Sequence, residues 1–212
     1  MTFAISKFRI KRVKESIFIV LILFLILGGI EPAYAQTISR SPTSGTVGTS
    51  VTITGSSFQA NRPVVVRYDG LQVTNATTSS TGGFVVVFAV PSSTRGVHVI
   101  SASDGISSAT TTFTVTSSLS RSPTSGPVGT TITLTGYGFA SSATLTITWD
   151  GTTLYTSPSP IQTDANGHFV ATVLALNGEP ISHTIVASDS SGSASTTFTT
   201  SRRLPSRRVQ GK

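Results

Sequence analysis

"SRSPTSGTVGTSVTITGSSF" occupies residues 39–58, and "SRSPTSGPVGTTITLTGYGF" occupies residues 120–139. Fourteen of the twenty positions are identical at an offset of 81. Similarity at a fixed spacing marks a duplicated structural unit. The correspondence continues beyond this stretch. Asp69-Gly70 returns as Asp150-Gly151, still at an offset of 81. Phe84, His98, Ile100, Ala102, Asp104 and Phe113 return as Phe169, His183, Ile185, Ala187, Asp189 and Phe198, now at an offset of 85. The second copy therefore carries four extra residues between Gly151 and Phe169, in a longer loop around "TSPSPIQTDANG". The copies span 36–116 and 117–200.

Apolar residues inside each copy recur with a period of two, the signature of half-buried strands. Val51 and Ile53 alternate with Thr52 and Thr54, and Ile132 and Leu134 repeat that phase. Val64, Val66 and Tyr68 form one face, answered by Leu145, Ile147 and Trp149. Phe84, Val86, Phe88 and Val90 form another, answered by Phe169, Ala171, Val173 and Ala175. His98, Ile100 and Ala102 follow, then Phe113 and Val115. Turn signals at Pro42 to Gly45, Gly55, Asp69-Gly70, Gly82-Gly83 and Asp104-Gly105 separate the runs. This pattern predicts an all-β chain of two tandem antiparallel sandwiches with about seven strands per copy.

The first 35 residues read as an export leader. Lys7, Arg9, Lys11, Arg12 and Lys14 precede the uncharged apolar run Ile17 to Ile30, and Ala33-Tyr34-Ala35 follows. That is the layout of a signal peptide (1–35) cleaved between Ala35 and Gln36. The apolar run falls short of the ~20 residues of a spanning helix, so membrane contact is expected only through this segment if it is left uncleaved. From Gln36 onward ten basic and six acidic residues remain, and five of the basic ones crowd into the tail 201–212, read as a basic disordered end. The folded part is nearly balanced. It lacks the clustered Lys and Arg that nucleic-acid binding requires, so no nucleic-acid partner is expected. There is no cysteine. Each small domain must be held by its core alone, with no thiolate ligand or nucleophile.

The pattern S-P-x-x-G-x-x-G-T-x-[VI]-T-[IL]-T-G-x-x-F is followed by a strand ending in Asp-Gly, a G-x-F strand, the H-x-I-x-A-x-D strand and a closing T-T-F-T strand. Together these resemble the IPT/TIG class of immunoglobulin-like domains, found as tandem repeats in exported and surface proteins of bacteria and archaea. The resemblance covers almost all of 36–200. It implies immunoglobulin-like sandwiches with a structural, spacer or adhesive role, and no shared catalytic residues.

The residues that invite chemistry have plainer readings beside the sharper ones. His98 and His183 lie in phase with a core face and are expected to bond within the fold, as a buried tyrosine does in other sandwiches. Asp164-Ala165-Asn166-Gly167 resembles part of a calcium loop, but Ala175 stands where the closing Glu is needed, so a turn is expected. There is no G-x-S-x-G elbow and no carboxylate pair. The reading is therefore of a non-enzyme with no cofactor and no metal. Tyr137 and Tyr155 lack aromatic counterparts in the first copy, and each is either a ligand contact or local packing. Asn75-Ala76-Thr77 is a glycosylation sequon.

The expected function is that of an exported, extracellular or cell-surface protein whose two repeats serve as spacer or adhesion module. The alternative is a secreted carbohydrate- or protein-binding accessory module that uses the loop of the second repeat. In either case the expected partner is a surface glycan or another surface protein.

Overall fold

The computed structural model describes residues 35–176 and 181–202. The expected leader, including Ala33, lies outside the described residues except for Ala35, and so does the tail beyond Arg202. Among the described residues every regular element is a strand.

The first repeat holds β1 (Thr37–Ser41), β2 (Ser44–Gly45), β3 (Ser50–Ser56), β4 (Pro63–Tyr68), β5 (Leu71–Thr77), β6 (Phe84–Ala89), β7 (Gly96–Ser103) and β8 (Ser108–Val115). The second holds β9 (Ser118–Ser122), β10 (Ser125–Pro127), β11 (Thr131–Tyr137), β12 (Thr144–Trp149), β13 (Thr152–Thr153), β14 (Ile161–Gln162), β15 (Phe169–Leu174), β16 (Ser182–Ser188) and β17 (Ser193–Ser201). Sheets β1-β3-β6 and β2-β8-β7-β4-β5 make the first repeat. Sheets β9-β11-β15 and β10-β17-β16-β12-β13 make the second, with β14 also on β12.

Each repeat has more strands than the expected seven, for a definite reason. The chain pairs antiparallel with β3 through Ser41, passes Pro42, and re-enters the opposite sheet as β2, parallel to β8. The opening turn read in "SRSPTSG" is thus a change of sheet, repeated as β9 and β10 in the second copy. The second copy also breaks the equivalent of β5 into β13 and β14.

The alternating residues fill the two cores. Val51, Ile53, Val64, Val66, Ile100, Phe113 and Val115 are buried in the first, and Ile132, Leu134, Ile147, Ile185 and Phe198 in the second. Removing such area from water is the main favourable term available to a domain without disulfides. The repeated T-G-x-x-F motif builds an aromatic plug. Phe58 meets Phe84 edge-on at 5.3 Å, and Phe139 meets Phe169 at 5.4 Å. Gly55 and Gly136 make room for it, because a Cβ at either would overlap the Phe84 or Phe169 ring. The linker is short: β8 ends at Val115, β9 begins at Ser118, and the Ser117 hydroxyl donates to Gly138 O at 2.5 Å.

Candidate ligand-contact site

The His, Asp and Arg side chains shared by the two copies are engaged within the scaffold. At the Asp69-Gly70 and Asp150-Gly151 turns both residues take positive φ, as two-residue hairpins demand. His98 Nδ1 donates to Asp69 Oδ2 and His183 Nδ1 to Asp150 Oδ2, each at 2.6 Å. The other oxygen of each carboxylate accepts the amide of Val99 or Thr184. His98 Nε2 meets Thr94 O at 2.8 Å. His183 Nε2 meets the Thr200 hydroxyl at 3.1 Å, which can donate.

Asp150, His183 and Thr200 stand in the order of an acid, base and nucleophile. Thr200, however, is only 2% exposed, and Trp149 covers the imidazole at 4.8 Å. The line fastens a turn to a core strand. In the first repeat Tyr68 stacks on His98 and its phenol bonds Ser93. Burial pushes that phenol up to about 12, opposed by the Ser93 hydrogen bond and assisted by the Asp69 charge. The His183 hydrogen bond, then the Thr184 amide, hold the Asp150 carboxyl below the usual range.

A second duplicated latch was not read from the sequence as more than a turn. Asp104 Oδ2 accepts the Gln59 amide, and Asp189 Oδ2 accepts the Ala140 amide. Their Oδ1 atoms accept Ile106 and Ser107 amides in one copy, Ser191 and Gly192 in the other. Desolvation raises both carboxyls, but the summed hydrogen bonds carry them below the usual range. A third duplicated contact joins the sheets: Arg40 bonds the Thr111 hydroxyl and Arg121 bonds that of Thr196. The identity of both arginines in the opening motif was the available signal.

Asp164 is a turn residue. Its Oδ1 accepts the amides of Asn166 and His168, and Ser79 Oγ does the same for Thr81 and Gly83 in the first copy. Among the described residues no group of three or more His, Cys, Asp or Glu side chains is placed to hold a metal. Among them, too, no helix is long and apolar enough to cross a membrane. Asn75 is exposed on β5.

The inserted loop of the second repeat presents a different surface. After β13, Leu154 turns inward against the core, with its amide on Ile147 O at 2.8 Å. Ser157 pairs with Thr172 on β15, and Ile161, 2% exposed, returns the chain to β12. Between these fixed points Tyr155 projects outward, 99% exposed. It lines a groove of about 340 Å³ with Thr131, Thr156, Ser157, Thr172 and Leu174. It also lines one of about 330 Å³ with Thr153, Leu154, Leu174 and Leu176. Among the described residues neither lining contains a charged side chain.

Tyr137 sits farther along the same β9-β11-β15 sheet, on the outward face with Thr131, Thr133 and Thr135. It lies six positions along the strand from Thr131, about 20 Å. Its ring packs on His168 at 4.6 Å, so the two residues peculiar to the second copy meet each other. The serines Ser118, Ser120 and Ser122 run alongside. The outward side chains of β9 and β11 are hydroxyl-rich and carry no charge, and β15 adds the exposed Val170 and Leu174. Tyrosine offers an apolar ring and a polar tip with few rotors to immobilise, and suits a neutral polyhydroxylated or polypeptide ligand.

Two tandem sandwiches of this topology define an immunoglobulin-like repeat protein. The chain belongs to the IPT/TIG domain family, whose model matches residues 36–115 and 116–200. No curated protein sequence matches it. Among solved structures it is similar to the D0-D1 domain of intimin, at 20% identity over 77% of this chain and 97% of that one, with a TM-score of 0.30. It is also similar to invasin, described as a bacterial integrin-binding protein, at 14% identity over 81% of this chain and 40% of that one, with a TM-score of 0.38. A third is SGBP-B from a complex xyloglucan utilization locus in Bacteroides uniformis, at 17% identity over 78% and 49%, with a TM-score of 0.30.

Proposed function

We propose that the chain is exported, its leader removed after Ala35, and that it acts outside the cell as a non-enzymatic adhesion module. The first repeat carries the second. The second repeat meets a neutral surface glycan or another surface protein through Tyr155 and the hydroxyl face beside it. One observation carries this reading. Tyr155 stands fully exposed on an insertion that only the second copy has, and it lines two grooves whose described residues carry no charge. The shared His, Asp and Arg side chains, by contrast, are committed to latches inside the scaffold.

A glycan array and a pull-down from surface-protein extracts, run with the full chain and its Tyr155→Ala variant, test the proposal. Binding that depends on Tyr155 supports it. An exported chain that binds neither class would be a spacer only. Detection of the chain inside the cell with residues 1–35 intact would sink the export claim.

A further inference from the structure

The two copies diverge at one segment whose ends are fixed by matching side chains. Val73 and Leu154, 81 positions apart, each pack against the core of their own repeat. Thr78 and Thr163, 85 positions apart, make one and the same pair of bonds. Thr78 Oγ1 donates to Gln59 O and accepts the Arg62 amide, and Thr163 Oγ1 donates to Ala140 O and accepts the Ala143 amide. Between these anchors the second repeat has the eight residues 155–162, which begin with Tyr155. The first repeat has only the four residues 74–77, "TNAT". The segment that carries the exposed tyrosine in one copy thus carries the sequon Asn75-Ala76-Thr77 in the other.

The sequon lies on β5, the last strand in the order β2-β8-β7-β4-β5. Residues two apart on a strand point the same way. Ala76 turns inward and packs against the core, while Asn75 and Thr77 are both exposed. Asn75 pairs with Val65 and Thr77 with Pro63, which holds the two side chains about 7 Å apart on one face. Among the described residues neither side chain has a hydrogen-bond partner. The neighbouring Thr78, by contrast, is tied to Gln59 and Arg62. Asn is disfavoured within strands, and no contact of the Asn75 carboxamide offsets that preference here.

We propose that Asn75 is an N-glycosylation site, with a lipid-linked oligosaccharide phosphate as the sugar donor and a transferase outside the cytoplasm as the catalyst. The proposal rests on the export reading, which brings the chain and the donor together. The bond between the anomeric carbon and the phosphate oxygen breaks, and its electron pair leaves with the lipid phosphate. A bond forms between that carbon and Asn75 Nδ2. One amide proton passes to a base of the transferase, and nothing is oxidised or reduced. The Thr77 hydroxyl is the second group that the Asn-x-Ser/Thr pattern requires. The attached sugar projects from an exposed face of the first repeat and displaces no hydrogen bond of the fold.

Arg67 and Arg95 bracket the sequon, and no Lys or Arg lies between them. Trypsin therefore releases 68–95 as one peptide in which Asn75 is the only asparagine. The full chain with its leader is recovered from the cells that naturally make it, and this peptide and the N-terminal peptide are read by mass spectrometry. An oligosaccharide mass on 68–95, placed at Asn75 by fragmentation, is the expected result. Asn75→Gln and Thr77→Ala should abolish it and Thr77→Ser should keep it, all three variants remaining folded by circular dichroism. A chain that begins at Gln36 with a bare Asn75 overturns the proposal and leaves export standing. A chain that retains 1–35 with a bare Asn75 overturns both. A sugar mass that survives Asn75→Gln belongs to a Ser or Thr of the peptide and overturns the assignment to Asn75.

Discussion

His183 donates from Nδ1 to Asp150 Oδ2 at 2.6 Å, tying a hairpin turn to a core strand 33 residues away in sequence. The same bond at the same length joins His98 to Asp69. The histidines that most invite a chemical reading thus hold the scaffold in both copies. The His and Asp side chains that the copies share are engaged inside, and Tyr155, which only the second copy has, faces solvent.

Asp150→Ala removes the acceptor of a buried imidazole and of the Thr184 amide. Losing hydrogen bonds to a charged group should cost about 2 kcal/mol or more. Denaturant unfolding should show the midpoint lowered and the slope unchanged. An unaltered midpoint would mean the turn is held by its backbone alone.

Acid should weaken the fold through the same carboxylates. Asp104, Asp150, Asp164 and Asp189 all titrate below the ordinary range in the folded chain. A depressed folded value means that the unfolded state binds protons first. The contribution is full above the unfolded value of about 3.9 and is lost as pH falls through the folded values. The melting temperature should therefore decline below about pH 4. The decline should be shallower in Asp189→Asn than in the unaltered chain.

Gly136→Ala puts a methyl group where the Phe169 ring lies. Overpacking of this kind should cost about 1–3 kcal/mol. Phe169→Ala, which leaves a cavity, should cost about 3–5 kcal/mol. In the double variant the methyl occupies part of the space the ring vacates, so the double variant should lose less stability than the sum of the two single penalties. Strict additivity in a double-mutant cycle would contradict the packing described.

Arg121 has an Nε that is buried without a hydrogen-bond partner, while Nη1 reaches Thr196. Arg121→Met keeps much of the apolar stem and discards the unpaired donor. It should destabilise less than Arg121→Ala, in keeping with the small net value of a hydrogen bond once both burial terms are counted. Thermal unfolding of the two variants decides the order.

The period-two faces and the four-residue insertion were legible in the sequence because each depends on neighbours along the chain. Val51, Ile53 and Phe113 are buried where alternation placed them. The change of sheet at Pro42 was not legible, since a proline turn has the same local signature whether the chain returns to its own sheet or crosses to the other. Asp104 looked like a turn residue and is one, but its bond to the Gln59 amide spans 45 positions and leaves no local pattern. Tyr137 was noted as lacking a counterpart, yet its contact with His168 depends on the pairing of β11 with β15. The prominence of Tyr155 depends on the anchors Leu154, Ser157 and Ile161 around it.

The central claim is that recognition resides in the inserted loop while the duplicated framework carries structure. The most direct test is the affinity of the full chain for whichever arrayed glycan or surface protein it captures, measured with and without Tyr155→Ala. The account predicts at least about a tenfold loss of affinity, as for a hot-spot tyrosine, with the unfolding transition unmoved. Affinity that survives Tyr155→Ala, and falls instead when exposed framework residues such as Thr54 are changed, would contradict it.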